Sequence, residues 1–236
     1  MDKHYSSGEK LHSYTIINLI AQGRYGIIYL CNDENGNKFI LKQLKKDELK
    51  QSENKLFYEV ELLSGLNDSR FPKFIEKFYE DDNIIYVLEY IQGKVYEDLL
   101  REGYRFTRKE IYAIADQLLS IIYILQQNNI VHRDIRPPNV IIKPNRQLVL
   151  IDFGLARYID NERYIKEIDY WYLADFLIHL YYSTYDVESD SDDDKPWFEE
   201  LDLSDLEINF LKKLMGIDGK FNNIQEIRNA LNLIKN

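Results

Sequence analysis

Apolar residues follow two different periods along this chain, and the change between them falls near Tyr90. Before it, Tyr14 to Leu30 alternates apolar and other residues around a glycine-containing turn, and Lys38 to Leu44 is a second short apolar run. A period of two is that of a strand with one buried face. Asp33-Glu34-Asn35-Gly36-Asn37 between the runs is turn chemistry, so an antiparallel meander is predicted. Within Lys45 to Leu66, Leu56, Val60 and Leu63 recur at helical spacing. Phe71 to Tyr79 and Asn83 to Glu89 read as two more strands, joined by a turn at Glu80-Asp81-Asp82-Asn83.

Beyond Tyr90 the helical period takes over. Thr107 to Gln127 carries Ile111, Ile114, Leu118, Ile121, Ile122 and Leu125 on one face. Thr107 with Glu110 three residues on has the form of a capping box. Short apolar runs at Val140 to Ile142 and Leu148 to Ile151 read as a hairpin. Ile168 to Tyr182 is apolar nearly all round, as a buried central helix is. Leu206 to Met215 and Ile224 to Ile234 complete the helical patterns. A strand-rich third followed by a helix-rich remainder predicts an α+β architecture with two lobes, divided as 1–89 and 90–236. No internal repeat appears at a solenoid period.

Composition narrows the function classes. The chain has 236 residues with a net charge of −10, which argues against a broad basic surface for nucleic acid or anionic membrane. Cys31 is the one cysteine, so no intrachain disulfide forms and a reducing, cytoplasmic setting is expected; Cys31 itself reads as a small apolar strand residue. The N-terminus lacks the apolar stretch of a signal peptide. No run of about 18 apolar residues is present, so no membrane span is expected. The acidic run Asp186 to Asp194 reads as a solvated loop, and Trp197 and Phe198 after it as residues packed into the helical part.

The chemistry is concentrated in His132-Arg133-Asp134-Ile135-Arg136-Pro137-Pro138-Asn139, followed by Asp152-Phe153-Gly154. The two apolar runs between these motifs, paired as a hairpin, bring Asp134, Asn139 and Asp152 to one end. Two side-chain oxygen donors beside a nucleotide suit Mg²⁺, or Mn²⁺ in its place, and the remaining carboxylate can take a proton from an attacking hydroxyl.

The ordered pair of motifs resembles the catalytic and metal loops of the eukaryotic-type serine/threonine protein kinase superfamily. The resemblance extends over nearly the whole chain, from about Tyr14 onward. Ile20-Ala21-Gln22-Gly23-Arg24-Tyr25-Gly26-Ile27-Ile28 is similar to the family's Gly-rich loop, with Ala21 in place of the first glycine and Arg24 and Tyr25 at its tip. Phe39-Ile40-Leu41-Lys42 matches the strand lysine, and Glu59-Val60-Glu61-Leu62-Leu63 the helix whose glutamate pairs with it; the register of Leu62 and Leu63 favours Glu59 over Glu61. Leu88-Glu89-Tyr90-Ile91 is similar to the hinge.

The resemblance implies a protein-kinase-like fold and an ATP-dependent phosphotransferase, with ATP in the cleft between the lobes. Ile20, Gly23, Gly26, Ile28, Leu88, Glu89 and Ile91 would surround the nucleotide. Lys42 would hold the α/β-phosphates, positioned by Glu59. Asn139 and Asp152 would ligate the metal. Asp134 would deprotonate the acceptor hydroxyl of a protein or small molecule, and Arg136, where the family usually has lysine, would neutralise the transferring group. His132 is structural in that pattern.

One element of the pattern is missing. Asp169-Tyr170-Trp171 matches the family's Asp-x-Trp helix start, yet residues 153–168 contain no Ala-Pro-Glu element, no helix for it, and no Ser or Thr. The usual phosphothreonine switch therefore has no acceptor there. Tyr158 and Tyr164 remain as modifiable residues, and Asp160 or Glu162 is expected to pair with Arg133 without modification. This shortening leaves the donor half of the machinery whole and the acceptor half open, as in small-molecule kinases that share the fold.

Overall fold

A computed structural model describes residues 3–23, 26–45, 58–81, 83–185 and 195–235. The expected features at Leu56, Arg24, Tyr25 and Asp186 to Asp194 lie outside the described residues. Two compact units emerge, Met1–Gln92 with Ile151–Ala156, and Gly93–Leu150 with Arg157–Asn236. The Asp-Phe-Gly segment thus packs with the first unit, although it follows much of the second in sequence.

Among the described residues, the first unit is an antiparallel sheet with an α-helix packed on it. Its strands are β1 (Lys10–Leu11), β2 (Tyr14–Gln22), β3 (Gly26–Asn32), β4 (Lys38–Leu44), β5 (Phe74–Glu80) and β6 (Asn83–Glu89), in the order β1-β2-β3-β4-β6-β5. Helix α1 is described over 58–65. Alternation along the strands sorts side chains onto two faces. Tyr14, Ile16, Ile27, Tyr29, Cys31, Leu41, Ile85 and Val87 form one buried cluster. Leu44 and Tyr86 point the other way, with Val60 of α1 packed against them. Lys42 belongs to this second face, directly opposite Ile28 on β3 and Tyr86 on β6. Burial pushes the Cys31 thiol up to about 12, consistent with its expected role as an inert strand residue.

Gly26 is required by close approach of β3 to β4, since a Cβ there would lie 2.7 Å from the Gln43 carbonyl oxygen. Gly23 is different: a Cβ there would meet nothing within 4 Å.

The second unit contains β7 (Lys94–Val95), α2 (Tyr96–Arg101), α3 (Arg108–Gln127), β8 (Ile130–Val131), β9 (Val140–Ile142), β10 (Leu148–Leu150), β11 (Arg157–Tyr158), α4 (Glu167–Tyr182), α5 (Trp197–Glu200), α6 (Asp205–Met215) and α7 (Ile224–Lys235). The six apolar residues expected on one face of α3 are all buried, and the Thr107–Glu110 capping box closes its N-terminus. Nine residues of α4 are buried, as its all-round apolarity requires. The short pieces β1, β7, β8, α2 and β11 were not marked by any periodicity, because two to six residues give no repeat to detect. Trp197 and Phe198 are half-buried, with Lys212 Nζ 4.1 Å from the Phe198 ring centroid. Among the described residues, no helix is long and apolar enough to cross a membrane.

Candidate active site

Each unit assembles its own group of charged residues. In the first, β4 turns Lys42 toward the face covered by α1, and α1 presents Glu59. Lys42 Nζ donates to Glu59 Oε2 at 2.7 Å and Oε1 at 2.9 Å, and to Asp152 Oδ1 at 2.8 Å. Lys42 and Glu59 are buried, whereas the Asp152 side chain is 40% exposed. Burial opposes charge on Lys42, but the Glu59 and Asp152 carboxylates outweigh it and hold the ammonium above its ordinary range. Glu61 is exposed on the same helix, so the choice of Glu59 agrees with the ion pair that forms.

Asp152 has a left-handed backbone, φ 61°, and its Oδ1 also accepts from the Gly154 N–H at 3.3 Å. A non-glycine residue there costs on the order of 1–3 kcal/mol, offset by the packing of buried Phe153 edge-on against Phe71 at 5.7 Å. The other first-unit candidates fall along the sheet. Ile20 is exposed at a register shift between β2 and β3. Ile28 is half-buried, Leu88 and Ile91 are buried, and the Glu89 N–H donates to the Lys73 carbonyl at 2.9 Å. The Gly23 N–H donates to the Gly26 carbonyl at 2.9 Å.

In the second unit, residues 132–139 link β8 to β9 and carry the other group. Arg136 forks onto the Asp134 carboxylate, Nε to Oδ1 at 2.5 Å and Nη2 to Oδ2 at 3.3 Å. Asn139 Nδ2 donates to Asp134 Oδ2 at 2.7 Å and to the Asp134 carbonyl at 3.0 Å. With its NH₂ so engaged, the Asn139 amide oxygen is left as a hard donor. An amide oxygen of this kind, like a carboxylate oxygen, is a ligand type that hard divalent cations accept.

Asp169, at the start of α4, anchors the loop from below. Its Oδ2 and Oδ1 accept the His132 and Arg133 N–H groups, both at 2.8 Å. Burial pushes the Asp169 carboxyl up to about 6, against the pull of those two N–H groups. His132 is fully buried, in keeping with a structural role. The match of Asp169 to the family's helix start implied a bond to the backbone of this loop, and the two N–H groups it accepts are those of His132 and Arg133.

The segment after Asp-Phe-Gly is ordered by its own residues. Asp160 Oδ1 accepts from the N–H groups of Glu162, Arg163 and Tyr164 at 2.9, 2.9 and 2.8 Å. The Arg133 guanidinium lies 4.7 Å from the centroid of the Tyr164 ring. Arg133 thus meets an aromatic face of this loop, while Asp160 is engaged by the turn it closes.

A buried lysine–glutamate pair, an Asp-Phe-Gly aspartate on that lysine, and an Asp–Asn catalytic loop held by an aspartate of a central helix define a protein kinase. The chain belongs to the protein kinase domain family, which matches residues 14–191. It is 35% identical to the Bacillus subtilis (strain 168) protein called probable serine/threonine-protein kinase YbdM, over 94% of this chain and 89% of that one. It is 29% identical to calcium-dependent protein kinase 4 of Plasmodium falciparum, matching 35% of that protein's length. It is also 24% identical to the human NUAK family SNF1-like kinase 1, matching 31% of it. The last two are thus much longer than the part this chain resembles.

Proposed function

We propose that the protein is an ATP- and Mg²⁺-dependent serine/threonine protein kinase. The observation that carries this reading is the buried Lys42 ammonium held by Glu59 and Asp152, three groups from separate parts of the chain. A fixed ammonium with a satisfied counter-charge is what a triphosphate needs, because it binds without reorganisation when phosphate charge arrives. Lys42 holds the α/β-phosphates, Glu59 keeps it in place, and Gly23, with open space where a Cβ would stand, lets backbone approach phosphate. Ile20, Ile28 and Leu88 flank the adenine. With the Glu89 N–H committed to Lys73, the donor offered to the adenine edge is that of Ile91.

Asn139 and Asp152 hold Mg²⁺, which when bound neutralises phosphate charge. Asp134 orients the acceptor hydroxyl and accepts its proton, and Arg136 balances charge beside it. Serine or threonine as acceptor is supported by the name of the Bacillus subtilis relative, to which the chain is similar along most of both lengths. A small-molecule acceptor is the second reading, favoured by the absence of an Ala-Pro-Glu element in 153–168.

The test is purified protein with γ-labelled ATP, a set of proteins and a panel of hydroxylated metabolites, beside Asp134→Asn. Label on protein serine or threonine, lost in the variant, is the expected result. Label on metabolites alone would establish the second reading. No label anywhere, with ATP·Mg²⁺ still raising the melting temperature, would leave a nucleotide-binding module.

A further inference from the structure

The acceptor surface can be read from α4, and this step rests on the protein-kinase reading above. Whatever is phosphorylated must bring its hydroxyl within hydrogen-bond reach of Asp134. Residues flanking that hydroxyl then pass over what surrounds Asp134 in the second unit. The N-terminal turn of α4 is fixed there, because Asp169 is bonded to the backbone of His132 and Arg133. Tyr172, three residues on, shares the helix face of Asp169 and lies within the electrostatic neighbourhood of Asp134 and Arg136. Trp171 stands edge-on to Tyr172 at 5.3 Å and is 43% exposed. An indole open to water in the first turns of a helix that buries nine of its residues needs an explanation. The family pattern puts an Ala-Pro-Glu element just ahead of this tryptophan, and this chain lacks it.

The neighbours of Trp171 specify what the exposed face suits. Glu167, Trp171 and Asp175 are spaced four apart, so a carboxylate stands one helical turn to either side of the indole. Glu167 and Asp175 are both partly exposed. Of the nearby cationic groups, Arg136 forks onto Asp134, Arg133 and Arg163 lie over the Tyr164 ring and Lys166 donates to the Asn222 carbonyl, while His179 Nδ1 stands 3.8 Å from Asp175 Oδ2. An aromatic face flanked by two carboxylates, on a chain of net charge −10, is complementary to a cation and unfavourable to an anion.

The geometry points to Trp171, with Glu167 and Asp175, as the specificity-determining surface for a protein acceptor carrying lysine or arginine near the phosphorylated serine or threonine. The basic side chain lies over the indole and its charge meets the carboxylates. In this role α4 supplies directly the platform that the missing segment would otherwise have supplied.

The experiment uses the full chain with serine peptides in which lysine, leucine or glutamate is placed in turn at each flanking position. Wild-type protein is expected to prefer lysine at one position or more by about tenfold in kcat/KM over leucine, the effect of a cation–π contact with partial desolvation. Trp171→Ala and the pair Glu167→Gln/Asp175→Asn should each raise KM for the lysine peptide and bring the lysine-to-leucine ratio toward one, with Trp171→Phe retaining part of the preference. An unchanged thermal shift with ATP·Mg²⁺ shows that each variant is folded. Phosphotransfer without a lysine preference, a leucine preference, or a lysine preference that survives both variants overturns the inference and leaves the kinase reading intact. Absence of transfer to every peptide, with transfer to metabolites, overturns the protein-kinase reading and this inference with it.

Discussion

The two charged groups are built on opposite plans. Lys42, Glu59 and Asp152 come from a strand, a helix and a loop, with Lys42 and Asp152 separated by 110 positions, and the lysine–glutamate pair is buried. Asp134, Arg136 and Asn139 lie within one short loop, and their mutual hydrogen bonds span at most five positions. The first group exists only if the sheet and helix of its unit pack. The second is local, with long-range support from the Asp169 carboxylate beneath its backbone. Buried long-range pairs are costly to break because the surviving partner stays desolvated. Local, partly exposed pairs can rearrange, so their damage should appear in turnover before it appears in stability.

The sharpest way to test that contrast is to remove one charge from each group. Asp134→Asn should lower turnover by about 10²–10⁴-fold, the usual contribution of a positioned acid–base group, while melting within a few degrees of wild type and still binding ATP. Lys42→Met should also lose turnover, and in addition lose about 3–5 kcal/mol of stability because Glu59 is left buried and unpaired. The double variant Lys42→Met/Glu59→Leu should recover much of that stability and none of the activity. Denaturant unfolding of the four proteins decides the matter. If Lys42→Met and Asp134→Asn were equally stable, the distinction between the two plans would fail.

A smaller effect is expected at the anchor. Asp169→Asn removes charge from an acceptor of two N–H groups, worth about 1.5–3 kcal/mol. It should lower kcat roughly ten- to a hundredfold, at 1.4 kcal/mol per tenfold, with little change in KM for ATP. The same group predicts an acid limb. With its folded pKa raised to about 6, Asp169 takes up a proton as pH falls through 6, and turnover should decline there. The linkage sign is opposite for stability: the folded state holds this proton more tightly than the unfolded chain, so stability from Asp169 increases as pH falls from about 6 to about 4. Activity lost near pH 6 together with cooperative unfolding would count against this assignment.

Glu207 carries the reverse sign. It is buried on α6, and burial, which would raise its pKa, is outweighed by Tyr112, Ser204 and Arg108, so its carboxyl lies below the usual range. Tyr112 and Tyr181 donate to Oε1 at 2.7 and 3.1 Å, and Arg108 pairs with Oε2 at 3.1 Å. Stability from this group is present above the ordinary carboxylate pKa and is lost as pH falls through the depressed one. Glu207→Gln should cost about 1–3 kcal/mol at neutral pH and flatten the acid side of a melting-temperature profile. An unchanged profile would show that the network contributes nothing net.

The smallest effect is expected in 153–168. Asp160 closes its turn and Tyr164 covers Arg133, so the segment is ordered without phosphate. Fully dephosphorylated protein carrying Tyr158→Phe and Tyr164→Phe should turn over within a few-fold of untreated enzyme. Tyr164→Ala removes the ring and about 0.5–1 kcal/mol of cation–π interaction. Loss of activity on dephosphorylation, with ATP binding intact, would replace a standing contact with a tyrosine switch.

The sequence by itself determined the strands β2 to β6, the long helices, the capping box at Thr107 and the residues that resemble kinase motifs, because each is written in local periodicity or in an ordered motif. It also favoured Glu59 over Glu61 through the register of Leu62 and Leu63. Only the tertiary structure decided what those residues touch. Pleat alternation and the packing of Val60 against Leu44 and Tyr86 set Lys42 against Glu59. A left-handed residue turned Asp152 onto the same ammonium. Tyr164 came to lie under Arg133, and Asp160 took up the backbone of its own turn. The Gly26 requirement arose from the Gln43 carbonyl across the sheet. Such contacts depend on distances between chain segments far apart in sequence, and a one-dimensional pattern does not encode them until burial fixes which faces meet.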